Sequence, residues 1–137
     1  MVAAPFALVD AKLVINSVNL SSWCTKATSD FEADELETTA FGASFRSRIG
    51  GLKDGNIAAE FNQDFSASAI DVTLFPLLGT VVAFTLKSSS ATNAPTNPEY
   101  QGNVLVSKYT PIDNAVGELA KTAIQWPTSG TVTRATS

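Results

Sequence analysis

Thr80-Val81-Val82-Ala83-Phe84-Thr85-Leu86-Lys87 carries the clearest alternation in the chain. Val82, Phe84 and Leu86 recur at period two, so an extended segment would carry one continuous apolar face. β-Branched and aromatic residues fill it, as suits a pleated, half-buried surface. A helix would scatter the same three side chains around its axis. The segment predicts a strand over 80–87 with those three residues inward.

Working outward, Gly79 is placed as a helix C-terminal cap. Before it, Ile70, Leu74, Leu77 and Leu78 share one helical face at i, i+4, i+7, i+8, which predicts a helix over 66–78. Ser68 with Asp71 resembles a capping box, and Pro76 is expected to distort the last turn. Asn56–Phe61 puts Ile57, Ala59 and Phe61 on one face of a strand, after a turn at Asp54-Gly55. Residues 42–51 have no period and read as a long loop. Further back, strands are expected over 11–18, 23–32 and 35–41, with a turn over 19–22. Asp30 and Asp34 bend the chain between the last two strands.

On the other side, Ser88–Pro98 is a polar loop rich in Ser, Thr, Asn, Ala and Pro, expected to be mobile. Strands follow over 100–109 and 116–126, Pro127 stops the latter, and 131–134 can add a short last one. About seven antiparallel strands and one flanking α-helix predict a mainly β sandwich or barrel. At 137 residues the expectation is one domain over 1–137, comprising a long loop over 40–54, a helix over 66–78 and a polar tail over 127–137.

Hydrophobic residues make up 45% and charged residues 16%, a low charge content that hints at surface covered by partners. Net charge is −4, and no basic stretch is present to grip phosphate, which argues against tight nucleic-acid binding. One cysteine, Cys24, excludes an internal disulfide. The apolar start, Met1–Val9, lacks a basic flank and is not read as a signal peptide. No uninterrupted apolar run approaches the ~18 residues of a membrane helix, so no membrane role is expected.

The chain has no histidine, which removes Ser-His-Asp and Cys-His catalysis and most zinc sites. The acids over Asp30–Glu37 lack the spacing and central glycine of a calcium loop. Gly50–Gly55 lacks the order of a phosphate-binding loop. Trp23 and Trp126 end strands and are read as packing residues. No enzyme, cofactor or metal is expected. A monomeric carbohydrate- or surface-binding β module is the competing class, resting on the tryptophans and the Ser88–Pro98 loop.

From Trp23 to Ser137 a series of short motifs occurs in order. They are Asp34-Glu35-Leu36-Glu37-Thr38-Thr39-Ala40-Phe41-Gly42, Gly51-Leu52-Lys53-Asp54-Gly55-Asn56-Ile57 and Phe61-Asn62-Gln63-Asp64-Phe65. Leu74-Phe75-Pro76-Leu77-Leu78-Gly79-Thr80, Asn97-Pro98-Glu99-Tyr100 and Trp126-Pro127-Thr128-Ser129-Gly130 complete the series. In this order they resemble the tail tube (major tail) proteins of long non-contractile-tailed bacteriophages, especially those infecting actinobacteria.

The resemblance implies a tail-tube fold whose copies form hexameric rings. Sheets join edge to edge, and the rings stack into a hollow virion tube that delivers DNA to the host. Implied partners are further copies, a tape-measure protein and double-stranded DNA in the lumen, and tail terminator and tail-tip proteins. The protein would be made in the host cytoplasm. The inner tube of a contractile tail or related injection system shares the fold and is the nearest alternative.

In the family the long loop reaches neighbouring subunits, so Phe41, Phe45, Arg46, Arg48 and Ile49 are expected at inter-subunit contacts; aromatics and arginine are enriched there. Glu32, Glu35 and Glu37, with Glu118 in another strand, are candidate lumen-facing acids. Six copies at −4 give a ring of about −24, enough to repel phosphate from a wall that shows it.

Overall fold

The computed structural model describes residues 4–137, so the first three residues of the apolar Met1–Val9 stretch lie outside it. Eight strands form two antiparallel sheets with one short helix. The first sheet contains β1 (Lys12–Ile15), β2 (Val18–Asn19), β5 (Val81–Lys87), β6 (Glu99–Leu105) and β8 (Thr133–Ala135), in the order β2-β1-β5-β6-β8. The second contains β3 (Cys24–Glu37), β4 (Arg48–Asn62) and β7 (Lys121–Pro127), in the order β3-β4-β7.

β5 is the centre of the first sheet, and its alternation is the predicted one, with Val82, Phe84 and Leu86 buried. They face Ile57, Ala59 and Phe61 of β4 and Ile124 and Trp126 of β7 across one shared core. Leu13, Ile15 and Leu20 close that core from the N-terminal side. Burying so many large apolar side chains supplies the main stabilisation, at about 1.5–3 kcal/mol for each full side chain. The Trp126 indole N–H is not stranded there, because it donates to the Lys108 carbonyl at 2.7 Å.

Several elements differ from expectation. The N-terminal strand breaks at Asn16-Ser17, where φ of 50° and 67° makes a tight turn into β2. The two strands expected before and after Asp34 are one continuous strand, β3, so Asp30 and Asp34 do not separate them. Asp54-Gly55 is no turn but lies within β4. Gly55 is needed there because the Phe31 ring lies across it: a Cβ would meet Phe31 Cδ1 at 2.6 Å. β4 also begins at Arg48, so only the first part of 40–54 is loop.

The helix is shorter than 66–78. α1 covers Ile70–Leu74 and passes into a 3-10 turn over Phe75–Leu77, where Pro76 breaks the α pattern. Ser68 does not cap it, since its φ is 61° and Ala69 holds the cap position without a side-chain bond. Asp64 organises this entrance instead, accepting from the Ser66 N–H at 2.9 Å and the Ser66 hydroxyl at 2.6 Å.

β6 ends at Leu105 and β7 starts at Lys121, leaving a long connection between them. The tail over 127–137 is not free: β8 pairs with β6, Tyr100 opposite Arg134. Nor is Ser88–Pro98 loose. The buried Lys87 ammonium donates to the Ala91 carbonyl at 2.9 Å and Asn93 Oδ1 at 3.0 Å, and lies 3.9 Å from the Glu99 carboxylate. Asn97 Nδ2 donates to the carbonyls of Ser89, Ala91 and Thr92.

Candidate functional site

β7 pairs with β4 only from Asn56 to Asn62. Beyond that point β3 and β4 continue together, without a third strand, as far as Glu37 opposite Arg48. The result is a two-stranded arm that leaves the body near Phe31. Its base is held by the Phe31 ring against Tyr100, with centroids 5.8 Å apart. A cleft of about 800 Å³ lies beside this base, between Glu32, Lys53 and Asp54 of the arm and Tyr100, Val132 and Arg134 of the body.

The arm's tip is closed by short hydrogen bonds. The Thr38 N–H donates to the Ser47 carbonyl and the Ser47 N–H to the Thr39 hydroxyl, each at 2.8 Å. Gly42, at φ 91°, makes the turn between them. Phe41 stands wholly in solvent, and Phe45 is 86% exposed. Both were expected at contacts between subunits, and neither folds back on its own core. Ile49 and Leu36 oppose each other across the strands and are also exposed. A two-stranded ribbon of this length with a bare apolar tip is unfavourable in water without a partner.

The charged residues divide by strand alternation. Glu35 lies 4.0 Å from Arg48, and Glu37 lies 3.7 Å from Arg46. These pairs are solvent-exposed and contribute little to stability. Glu32, an even-numbered position on the same strand, points to the opposite face from Glu35 and Glu37. It stands opposite Asp54, on the face that holds Thr28, Ala58 and Glu60. Glu118 is not in a strand. It closes a turn by accepting from the Ala115 N–H at 2.7 Å. The four acids therefore do not form one cluster.

At the other end of β4, Asn62 pairs with Lys121, and α1 and the connection into β7 gather there. The Tyr109 hydroxyl donates to Asp71 at 2.9 Å and accepts from Gln63 Nε2 at 3.0 Å. Burial, reinforced by the nearby Asp71 charge, pushes the Tyr109 phenol up to about 12. Hydrogen bonds from Ser66 and from the Trp23 indole hold Asp64 below the usual carboxylate range. Burial raises the Cys24 thiol, which keeps it a poor nucleophile. Trp126 is fully buried, so it offers no stacking surface to a sugar. Among the described residues no group of three or more His, Cys, Asp or Glu could hold a metal ion, and no helix is long and apolar enough to cross a membrane.

Sequence reasoning found the exposed tip from its aromatic and arginine content. It missed the exposed apolar residues of the connection before β7, Ile112, Val116 and Leu119. Their only sequence signal is spacing within a polar segment, which does not distinguish burial from exposure.

No family model matches the chain, and no characterised protein matches it in sequence. Several solved structures share its fold, two of which follow. A chain of the virion of a native gene transfer agent particle superposes with a TM-score of 0.74 at 12% identity, covering 92% of this chain and 95% of that one. A chain of the tail of an empty gene transfer agent particle, solved by helical refinement with C6 symmetry, gives a TM-score of 0.62 at 14% identity, with 81% of each chain covered. The mainly β fold with two antiparallel sheets is thus one that occurs in phage-like virion and tail particles.

Proposed function

We propose that this protein is the tail tube subunit of a long phage-like tail, forming hexameric rings that stack into a conduit for DNA. The observation that carries the reading is the arm: a two-stranded extension whose Phe41 and Phe45 have nothing of their own chain to pack against. Both edges of the three-stranded sheet, β3 and β7, are available for pairing with neighbouring copies, which would close a barrel and remove the exposed edges. A fold shared with a chain of a C6-symmetric tail supports six copies to a ring.

In this assembly the solvent face of the three-stranded sheet is the wall that meets DNA. Thr28, Ala58 and Ala123 lie between Glu32 and Glu60, so the middle of the face is short and uncharged, with Lys26 and Lys121 only at the end beyond Glu60. Such a surface lets phosphate slide past. Glu35 and Glu37 are matched by Arg48 and Arg46, and Glu60 stands opposite Lys26, so Glu32, opposite Asp54, is the better source of repulsion.

Purified protein, concentrated with and without its tail-tip complex, should give rings or hollow tubes in electron micrographs. Phe41→Ser with Phe45→Ser should leave the circular dichroism and melting of the monomer unchanged and abolish tubes. A chain that stays monomeric under all these conditions, or tubes unaffected by the double substitution, would overturn the reading.

A further inference from the structure

Lys87 ends β5 with its ammonium inside the protein, where three oxygens surround it. Nζ lies 2.9 Å from the Ala91 carbonyl, 3.0 Å from Asn93 Oδ1 and 3.9 Å from Glu99 Oε2. The Lys87 and Glu99 side chains are only 8% and 15% exposed, so bulk water hardly reaches the pair. Gln101 Nε2 donates to the other Glu99 oxygen at 2.5 Å and fixes the carboxylate. A carboxylate alone would balance a buried ammonium. Here a carboxamide is held against the same nitrogen as well.

The loop that presents this carboxamide is built to hold it still. Ala94 and Asn97 exchange both backbone hydrogen bonds, at 3.2 and 2.9 Å. The buried Asn97 Nδ2 ties down the carbonyls of Ser89, Ala91 and Thr92. Asn93 sits between Thr92 and Ala94, so both of its neighbours are anchored, and the Cγ of its amide is one bond beyond the oxygen that Lys87 touches.

An amine, a carboxamide and a carboxylate fixed together away from water are the components of an amide exchange. We infer that Lys87 and Asn93 are the site of an intramolecular isopeptide bond, with Glu99 carrying the protons. The Lys87 ammonium gives one proton to Glu99 and becomes a neutral amine. Rotation about the bond to Nζ turns its lone pair onto Asn93 Cγ, and a C–N bond forms as the carbonyl electrons move to Oδ1. Glu99 passes a proton to Nδ2 and takes one from Nζ. The carbonyl re-forms, the Cγ–Nδ2 bond breaks, and ammonia leaves with the displaced proton as ammonium. No oxidant or co-reactant is needed. The product fastens the end of β5 to the loop over 88–98. The bond is independent of the tail-tube reading, since a monomer and a tube subunit would carry it alike.

Intact mass spectrometry of freshly purified protein, and of the same sample after prolonged incubation, tests it. The mass should fall about 17 Da below that of the sequence, the weight of one ammonia. Trypsin acting on the denatured protein should fail to cut after Lys87, giving one peptide over 54–108 in which Lys87 is joined to Asn93. Lys87→Met, Asn93→Ala and Glu99→Gln should each keep the full mass of their own sequence. In the Asn93 and Glu99 variants trypsin should cut after Lys87. An unaltered protein of full mass that is cut after Lys87, before and after incubation, overturns the proposal. A deficit that persists in Lys87→Met or Asn93→Ala overturns it too, because the ammonia is then lost elsewhere, and a deficit that persists in Glu99→Gln removes Glu99 from the reaction.

Discussion

Gly55 shows how one residue ties the arm to the body. Asp-Gly is a strong turn signal, and here it sits inside a strand because an aromatic ring needs the space a Cβ would take. Phe31 lies over Gly55 and reaches Tyr100 on the other sheet. Gly55→Ala must therefore displace the ring or the Asp30 carbonyl, 2.8 Å from the added carbon. Overpacking of this kind costs about 1–3 kcal/mol. We expect a lower denaturation midpoint and faster amide exchange along Phe31–Asp54, with the core strands β5 and β6 unchanged. An arm that exchanges as slowly as before would show that Phe31 does not anchor it.

The polar loop Ser88–Pro98 makes the corresponding case at the level of an element. Composition alone suggests mobility, but a buried ammonium orders it. Lys87 continues the alternation of β5 past Leu86 and ends among carbonyls instead of in water. Removing the charge leaves Asn93 Oδ1 without its donor and the Glu99 carboxylate without its counter-ion, while Asn97 still donates to the Ala91 carbonyl and Gln101 to Glu99, at a cost of about 1–3 kcal/mol. Lys87→Met should make residues 88–98 sensitive to limited proteolysis and lower the melting temperature. Resistance equal to that of the unaltered protein would mean that Asn97 alone holds the loop.

At the scale of the whole molecule, exposed apolar groups at the arm tip and at the opposite end are what the proposed assembly would cover. Association that binds only the folded form stabilises it by mass action. The melting temperature should rise with protein concentration across the range where oligomers appear in sedimentation, and the Phe41→Ser/Phe45→Ser variant should lose that dependence. A melting temperature independent of concentration, with tubes present, would mean that assembly contributes nothing to folding stability.

Much of the fold was legible because its signals are local. Alternation in 80–87 and 56–61 marks strands whose faces the core then uses, and Phe41, Phe45, Arg46 and Arg48 stand out on composition alone. The length of the helix, the continuity of β3 and the strand start at Arg48 were not legible, since each is settled by what packs beside the chain. The same holds for the acids. Residue order was enough to mark a β-rich chain without histidine chemistry and with an aromatic, cationic loop. Long-range packing alone settles that this loop caps an unsupported arm, that Glu32 faces away from Glu35 and Glu37, and that an exposed apolar loop stands at the opposite end. Periodicity is a property of neighbours along the chain, whereas exposure and facing depend on strand register and on contacts between residues far apart in sequence.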